Sequence, residues 1–268
     1  MAKLTVLILA KNEEKNIGDC IKSVLFADEI LVIDDYSTDK TAEIAEGLGA
    51  RVIQHSMDSN WGQQKTFGIE QATNPWIYLL DADERVTEAL KQEILRAVNA
   101  DEKFVYYNAR LNHFCGRVVR HSGWFPDYGI HLIPKDGSYV TGYVHEEIHY
   151  KYPVKKMPRS AYLIHYTYES WEQYLRKLNT YTTLGARKKY DAGKRAGIMD
   201  IILHPIFGMF KIFFIQRAFL DGLTGCFLTV AHGINVFMKY SKLYYLGKGV
   251  GLSAADGKPD RGRVDNNG

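Results

Sequence analysis

The chain has 268 residues, where a domain takes roughly 100–200, so one domain with an appendage is expected and a second independent domain is the alternative. Hydrophobic residues at 46% and charged residues at 24% exclude a disordered chain, a collagen-like repeat and a simple coiled coil. The net charge of +3 hides an asymmetry, because residues 1–100 hold 10 Lys/Arg against 17 Asp/Glu while residues 101–268 hold 24 against 14.

Leu4–Leu9 is a continuous apolar, β-branched run and predicts a strand buried on both faces. Asn12–Phe26 follows with Ile17, Ile21, Val24 and Leu25 at helical spacing. Ile30–Ile33 predicts a second strand, ending in Asp34-Asp35. Ser37-Thr38-Asp39 offers N-cap chemistry for a helix from about Lys40 to Gly47. Gly49 breaks it, and Arg51–Gln54 predicts a third strand. Gly62–Ala72 is helical, and Trp76–Leu80 is a fourth strand ending in Asp81-Ala82-Asp83-Glu84. Thr87–Val98 is an amphipathic helix with Leu90, Ile94, Leu95 and Val98 inward.

This alternation with short connections predicts an α/β fold, a mostly parallel sheet flanked by helices. Such sheets bind ligands beyond the carboxyl ends of their strands. Three of those ends carry polar clusters: Lys11-Asn12-Glu13, Asp34-Asp35 and Asp81-Ala82-Asp83. Their convergence on one edge is a stronger signal than any one of them.

The carboxylates of Asp81 and Asp83 follow a strand, where a turn lets both reach one cation. Hard oxygen ligands suit Mg²⁺ or Mn²⁺, which keep waters and also take substrate phosphates. A departing nucleoside diphosphate needs such a cation to neutralise developing charge. The plainer alternative is that these acids only cap the next helix. Asp34-Asp35 could likewise be a polar turn, with Asp39 structural. Two adjacent carboxylates repel, however, and that cost falls if one accepts bonds from a base or ribose. There is no GxGxxG and no GxxxxGK[ST], so neither a dinucleotide fingerprint nor a P-loop is supported.

Val6-Leu7-Ile8-Leu9-Ala10-Lys11-Asn12-Glu13, Val32-Ile33-Asp34-Asp35-Tyr36-Ser37-Thr38-Asp39 and Leu79-Leu80-Asp81-Ala82-Asp83-Glu84 together resemble family 2 glycosyltransferases with the GT-A fold. The match covers about the first 100 residues. The Asp-Ala-Asp-Glu ending, with Val144-His145-Glu146 later, is similar to the bacterial lipopolysaccharide-core β-1,4-glucosyltransferase-like group. That similarity extends to about residue 245.

The resemblance implies inverting transfer of a sugar from a nucleotide donor, usually a UDP-sugar. On the matching positions, Ala10, Asn12 and Glu13 would border the nucleotide, and Asp34 or Asp35 would contact the uracil or ribose. Lys65 matches a basic position near the nucleotide. Asp81 would lie near the donor sugar or ribose, and Asp83 would ligate Mn²⁺ or Mg²⁺. Inversion needs one general base opposite the diphosphate. The match places it at Glu146, with Glu147 as competitor because the commoner Glu-Asp pair is missing; an edge strand with exposed carboxylates is the alternative. Arg117–His131 mixes aromatic residues with cations, which suits an acceptor sugar or phosphate, or is a surface loop and hairpin. The related group often carries Arg near the position of His131.

In the second half, Leu175–Arg195 carries seven Lys/Arg against the single Asp191, with Tyr181 and Tyr190 interleaved. Ile198–Phe214 is apolar but interrupted by Asp200, His204, Pro205 and Lys211. Ala218–Tyr245 is apolar and aromatic with Asp221, Lys239 and Lys242. No stretch reaches the roughly 18–20 uninterrupted apolar residues of a spanning helix. Basic residues beside such helices predict association with an anionic membrane surface. The alternative is a helical appendage packed on the catalytic domain or on a second subunit, a possible homo-oligomer. No nucleic-acid-binding signature accompanies the basic tract. Gly247–Gly268 reads as a mobile tail.

The expected organisation is a catalytic, nucleotide-sugar-binding domain over 1–165, an amphipathic helical region over 166–246 and a tail over 247–268. Leu4–Ala10 is short and runs into Lys11, Glu13 and Glu14, so no signal peptide is expected. Cys20, Cys115 and Cys226 form no CxxC pair, which fits a reducing setting without disulfide or structural zinc. The expected protein is cytoplasmic and peripheral on the inner face of the cytoplasmic membrane. It would move a hexose, glucose foremost, from a UDP-sugar to a glycolipid, oligosaccharide or lipopolysaccharide-core acceptor. A polyprenyl-phosphate sugar synthase, a protein or peptide glycosyltransferase, a nucleotidyltransferase and a non-catalytic scaffold are the rivals.

Overall fold

The structure is a computed structural model that describes residues 2–58, 60–142 and 147–252. Glu146 and the tail beyond residue 252 lie outside the described residues. The chain divides between Thr167 and Tyr168 into two compact units.

The first unit begins with four strands and their helices. These are β1 (Leu4–Ala10), α1 (Ile17–Lys22), β2 (Glu29–Asp34), α2 (Thr41–Gly47), β3 (Arg51–Gln54), α3 (Trp61–Gln71) and β4 (Trp76–Asp81). β5 (Glu84–Val86) and α4 (Glu88–Ala100) follow. Then come β6 (Val105–Phe114), β7 (Arg117–Val118), β8 (Asp127–Pro134), β9 (Tyr139–Thr141), β10 (Glu147–His149), β11 (Val154–Lys156) and β12 (Tyr162–Tyr168). The main sheet runs β3-β2-β1-β4-β8-β6-β12-β5, with β7 and β11 also paired to β6. Its first four strands are parallel. β8 then lies antiparallel to β4 and to β6, and β12 antiparallel to β5. The sheet is therefore mixed, and parallel where the sequence alternates strand with helix. β9 and β10 form a separate ribbon.

β1 is buried along its whole length and divides the core by strand alternation. Val6 and Ile8 pack with Ile17, Ile21, Leu90 and Ile94 on one face. Leu7 and Leu9 pack with Ile69 and Ile133 on the other. There α3 sits close, because Gly68 lies where a Cβ would come 2.5 Å from Leu7 Cδ1. The register sets Ala10 beside Asp34 and Leu9 beside Asp81. With β2 on one side of β1 and β4 on the other, the connections diverge at this edge, the switch point where such sheets leave a crevice.

The helix expected over 12–26 is regular only in α1. Asn12 adopts a left-handed φ of 55°. The amides of Asn12, Glu13 and Glu14 donate to Ser37 Oγ, Thr41 Oγ1 and Asp39 Oδ2 instead of entering a helix. Side chains of the β2–α2 loop and of the first residue of α2 thus hold the β1–α1 loop.

At the opposite end of β2, Glu29 ties three segments together. Burial alone would raise its carboxyl, but bonds from Thr5, Thr73 and Arg51 outweigh that and hold it down at about 2. The Thr73 amide donates at 2.9 Å and Arg51 Nη2 at 2.8 Å. A carboxyl depressed by folding stabilises the protein above its unfolded value and loses that contribution as pH falls through the folded one. Glu29→Gln is expected to cost about 2 kcal/mol at pH 7. The gap should narrow in urea titrations run below pH 4.5, the ordinary value for this carboxyl. Equal urea midpoints for the two proteins at pH 7 would contradict this.

The second unit is helical: α5 (Trp171–Asp191), α6 (Ile198–Phe210) and α7 (Gly222–Gly247). A π-helical turn, Lys211–Ile215, continues α6, and a 3₁₀ turn, Ala218–Asp221, leads into α7. Ser170 caps α5 by accepting the Gln173 amide at 3.2 Å.

Candidate active site

The sheet edge is built from the ends of β1, β2 and β4. Asn12 Oδ1 accepts the Thr38 amide at 2.8 Å. Asp34 is fully buried and accepts the Ser37 amide at 3.0 Å as well as its hydroxyl. Asp35 accepts Lys11 Nζ at 2.7 Å and the Met57 amide at 3.0 Å. Burial favours the neutral acid at Asp35, but Lys11 and the Met57 amide hold its carboxyl below the ordinary range. The repulsion implied by adjacent aspartates is thus met by protein groups. Ala10, Asn12, Glu13, Asp34 and Asp35 form one bonded frame at this edge. Asp39 is structural, accepting from Thr41 and the Glu14 amide.

Beside the frame lies a cavity of about 240 Å³ lined by Lys65, Asp81, Glu84, Arg110, His131 and Ile148 among others. Lys65 reaches it from α3 and stands 3.7 Å from Asp81 Oδ1. The Lys65 charge holds the Asp81 carboxyl below the usual range, against the effect of burial. Glu84 is 1% exposed, and its Oε2 accepts the Asp81 amide at 3.0 Å. Glu84 Oε1 and Arg110 Nε are buried without a hydrogen-bond partner among the described residues. Arg110 Nη1 and His131 Nε2 each stand 4.0 Å from Glu84 Oε1. Burial, and then the charge on Asp81, pushes the Glu84 carboxyl up to about 8. Burial, and then Arg110, pushes His131 down to about 3. His131 Nδ1 faces the Gly129 carbonyl at 2.9 Å. A carbonyl only accepts, so Nδ1 carries the proton and Nε2 offers a lone pair. The cavity therefore combines cations, acids and a neutral imidazole acceptor around unfilled bonding capacity, a set suited to a small polyhydroxylated group.

Asp83 is in the turn between β4 and β5. His165 Nε2 stands 3.5 Å from its Oδ2, and His165 Nδ1 faces Asn112 Oδ1 at 2.8 Å. Among the described residues no three His, Cys, Asp or Glu side chains gather into a metal cage. One hard carboxylate with an imidazole beside it nevertheless fits a divalent cation whose other ligands are water and phosphate oxygens.

Of the residues expected from the sequence, Lys65 and Asp81 share the cavity and Asp83 lies in the next turn, outside its lining; no role was expected for Glu84, Arg110 or His165. His165 arrives because β12 pairs antiparallel with β5, setting His165 opposite Glu84. Arg110 arrives because β6 pairs with β8, setting it opposite Asp127, which it contacts at 2.8 Å. Neither pairing has a local motif that announces it. His131 is buried in the cavity, whereas Arg117 and Val118 of the same sequence stretch are exposed on β7. Glu147 opens β10 as an exposed residue and is absent from the cavity lining, while its neighbour Ile148 lines it.

The strand order and the motifs at its edge mark an enzyme class, the glycosyltransferases. The sequence model of Glycosyl transferase family 2 matches residues 5–166, and the chain belongs to that family. It is 30% identical over 256 residues to an uncharacterized glycosyltransferase of Rickettsia felis, covering 91% of this chain and 90% of the relative. It is 27% identical over 256 residues to the lipopolysaccharide core biosynthesis glycosyltransferase LpsC of Rhizobium meliloti, covering 90% of this chain and 92% of LpsC. Among solved structures, glucosyl-3-phosphoglycerate synthase of Mycobacterium tuberculosis aligns with a TM-score of 0.41 and 17% identity, over 53% of this chain and 61% of that one. The first unit is a family 2 domain, built on the mixed sheet whose first four strands are parallel.

Proposed function

We propose that this glycosyltransferase is inverting and metal-dependent, and that it moves a hexose from a UDP-sugar to a glycolipid or lipopolysaccharide-core acceptor at the cytoplasmic membrane face. The observation that carries the reading is a cavity of about 240 Å³ lined by Lys65 and Asp81, with Asp83 in the turn that follows Asp81. The frame of Asn12, Glu13, Asp34 and Asp35 borders the nucleotide, and the cavity receives the sugar. Asp83, with His165 beside it, would hold Mn²⁺ or Mg²⁺. When bound, that cation neutralises charge on the diphosphate.

Lys65 supports the same charge from α3 while restraining Asp81. Arg110, Glu84 and His131 hydrogen-bond the sugar hydroxyls and exclude water from the anomeric carbon. Glu146 takes the proton of the acceptor hydroxyl as its oxygen bonds to the anomeric carbon. The bond to the diphosphate breaks on the opposite face, UDP leaves with the electron pair, and the configuration inverts.

Nucleotidyl transfer would need free amides after β1 to cradle a triphosphate. Those of Asn12, Glu13 and Glu14 are already bonded to side chains.

The test is transfer of radiolabel from a panel of UDP-hexoses into a glycolipid acceptor fraction, with the product linkage read by NMR. Labelling from one donor, with the anomeric configuration opposite to the donor's, is expected. Labelling with retained configuration, or none from any UDP-hexose, would overturn the reading.

A further inference from the structure

The second unit carries an apolar surface that the described chain leaves about half exposed. On α7, Leu223, Phe227, Val230, Ile234 and Phe237 recur every three or four residues and are each 47–69% exposed. On α6, Met199, Ile202, Ile206 and Phe210 form a matching row, each 48–62% exposed. Contiguous exposed apolar surface of this kind marks an interaction face.

α6 and α7 form an antiparallel hairpin. His204 stacks on Tyr240 at 4.2 Å. Further along, a Cβ at Gly208 would come 3.1 Å from His232 Nε2, and one at Gly233 would come 2.6 Å from Met209 Sδ. The glycines let the two helices close, so the exposed rows belong to their outward faces.

By length and composition, Ile198–Ile215 is long and apolar enough to cross a membrane. Its neighbours argue otherwise. α5 lies along α7 for most of the length of α7. Trp171 meets Phe227 at 6.2 Å, and Lys242 Nζ donates to Thr182 Oγ1 and Thr183 Oγ1 at 2.8 Å each. Ala186 packs with Leu243 and Leu246. α5 holds seven charged residues among its 21, and charges at the bilayer centre are strongly disfavoured. A segment flanked by such a helix stays at the level of the headgroups, and α6 is packed to it. The hairpin can bury its outer face in one leaflet but cannot cross.

Lipid fits better than a second copy of the chain. Residues 168–252 hold twelve Lys/Arg against five Asp/Glu. Two such units face to face would repel, whereas an anionic leaflet offers the complementary charge.

We infer that α6 and α7 form a monotopic hairpin that lies in the plane of an anionic membrane, with the Met199–Phe210 and Leu223–Phe237 rows sunk into one leaflet. This extends the glycolipid-acceptor reading by naming the surface that meets the lipid. In-plane helices of this type sink roughly 5–10 Å.

The experiment is flotation of the full-length protein with phosphatidylcholine vesicles, with and without phosphatidylglycerol. Preferential flotation with the anionic vesicles is expected. The double variant Ile206→Glu, Val230→Glu should partition at least tenfold less while keeping its melting temperature and its stabilisation by UDP. The two substitutions lie on exposed positions, so loss of flotation with UDP stabilisation intact isolates this inference from the catalytic reading. To separate in-plane from spanning, Arg217→Cys in a Cys115→Ser, Cys226→Ser background is labelled from outside intact vesicles with an impermeant maleimide. Full labelling is expected. Three results would overturn the inference: no flotation of the folded protein, a dimer in solution whose loss in the double variant leaves flotation unchanged, or labelling only after vesicle lysis.

Discussion

Asp83→Asn is expected to lower sugar transfer by on the order of 10²–10³-fold while shifting the melting temperature by no more than a few degrees. The expected asymmetry follows from the position of the side chain. It sits in the turn after β4, 29% exposed, with His165 3.5 Å away. The turn itself is held by main-chain bonds, among them the Tyr166 amide donating to the Asp83 carbonyl at 3.0 Å. The substitution leaves those intact. It removes one carboxylate oxygen and a formal charge at the position proposed to hold the cation. Asp81→Asn should behave differently, because it removes a negative charge that stands 3.7 Å from Lys65 inside the cavity. Initial rates and melting curves of the two variants, each measured over a Mn²⁺ titration, check this. Undiminished transfer by Asp83→Asn would remove that residue from the metal's ligands.

The second large effect is expected at Glu146. Glu146→Gln should lower transfer by on the order of 10²–10⁴-fold, the usual contribution of a general base, and leave UDP affinity unchanged. Glu147→Gln should change transfer by less than tenfold. Glu146 lies outside the described residues and is assigned from the Val144-His145-Glu146 pattern. Glu147 opens β10, whose alternate residues face opposite ways. Ile148 lines the cavity, while Glu147 pairs with Thr141 at the ribbon edge and is exposed. Steady-state kinetics separates the two, since loss of a base appears in kcat and not in UDP binding. A large kcat loss in Glu147→Gln with Glu146→Gln active would reverse the assignment.

The parallel half of the sheet was legible because β1, β2 and β4 are buried along almost their whole length and α4 is amphipathic. Leu4–Leu9 and Trp76–Leu80 are apolar runs long enough to stand apart from their surroundings. The acids that end β2 and β4 were legible for the same reason, since charge after such a run has few structural uses. The antiparallel half was not, because its meaning lies in pairing across the sequence. Nothing local to His165 connects it with Glu84, more than 75 residues earlier, until β12 and β5 are laid side by side. Arg110 and His131 likewise become site residues only through the register of β6, β8 and β4. The β1–α1 loop shows the reverse limit. Helical spacing was present over 12–26, but hydroxyl and carboxylate groups of the next loop compete for its amides and win. In the second unit the basic tract and the interrupted apolar stretches located the helices. Which apolar residues are left outside depended on how α5 and α6 pack on α7.

The measurement that bears most directly on the central claim is the thermal stability of the purified protein with UDP, UDP-sugars and nucleoside triphosphates, each with and without Mn²⁺. A ligand that binds only the folded state, at a hundredfold excess over its Kd, stabilises it by about 2.7 kcal/mol. Mn²⁺-dependent stabilisation by UDP and by one UDP-sugar is expected, with the Mn²⁺ dependence of both lost in Asp83→Asn. A folded protein that responds to none of these nucleotides, or to a triphosphate alone, would contradict it.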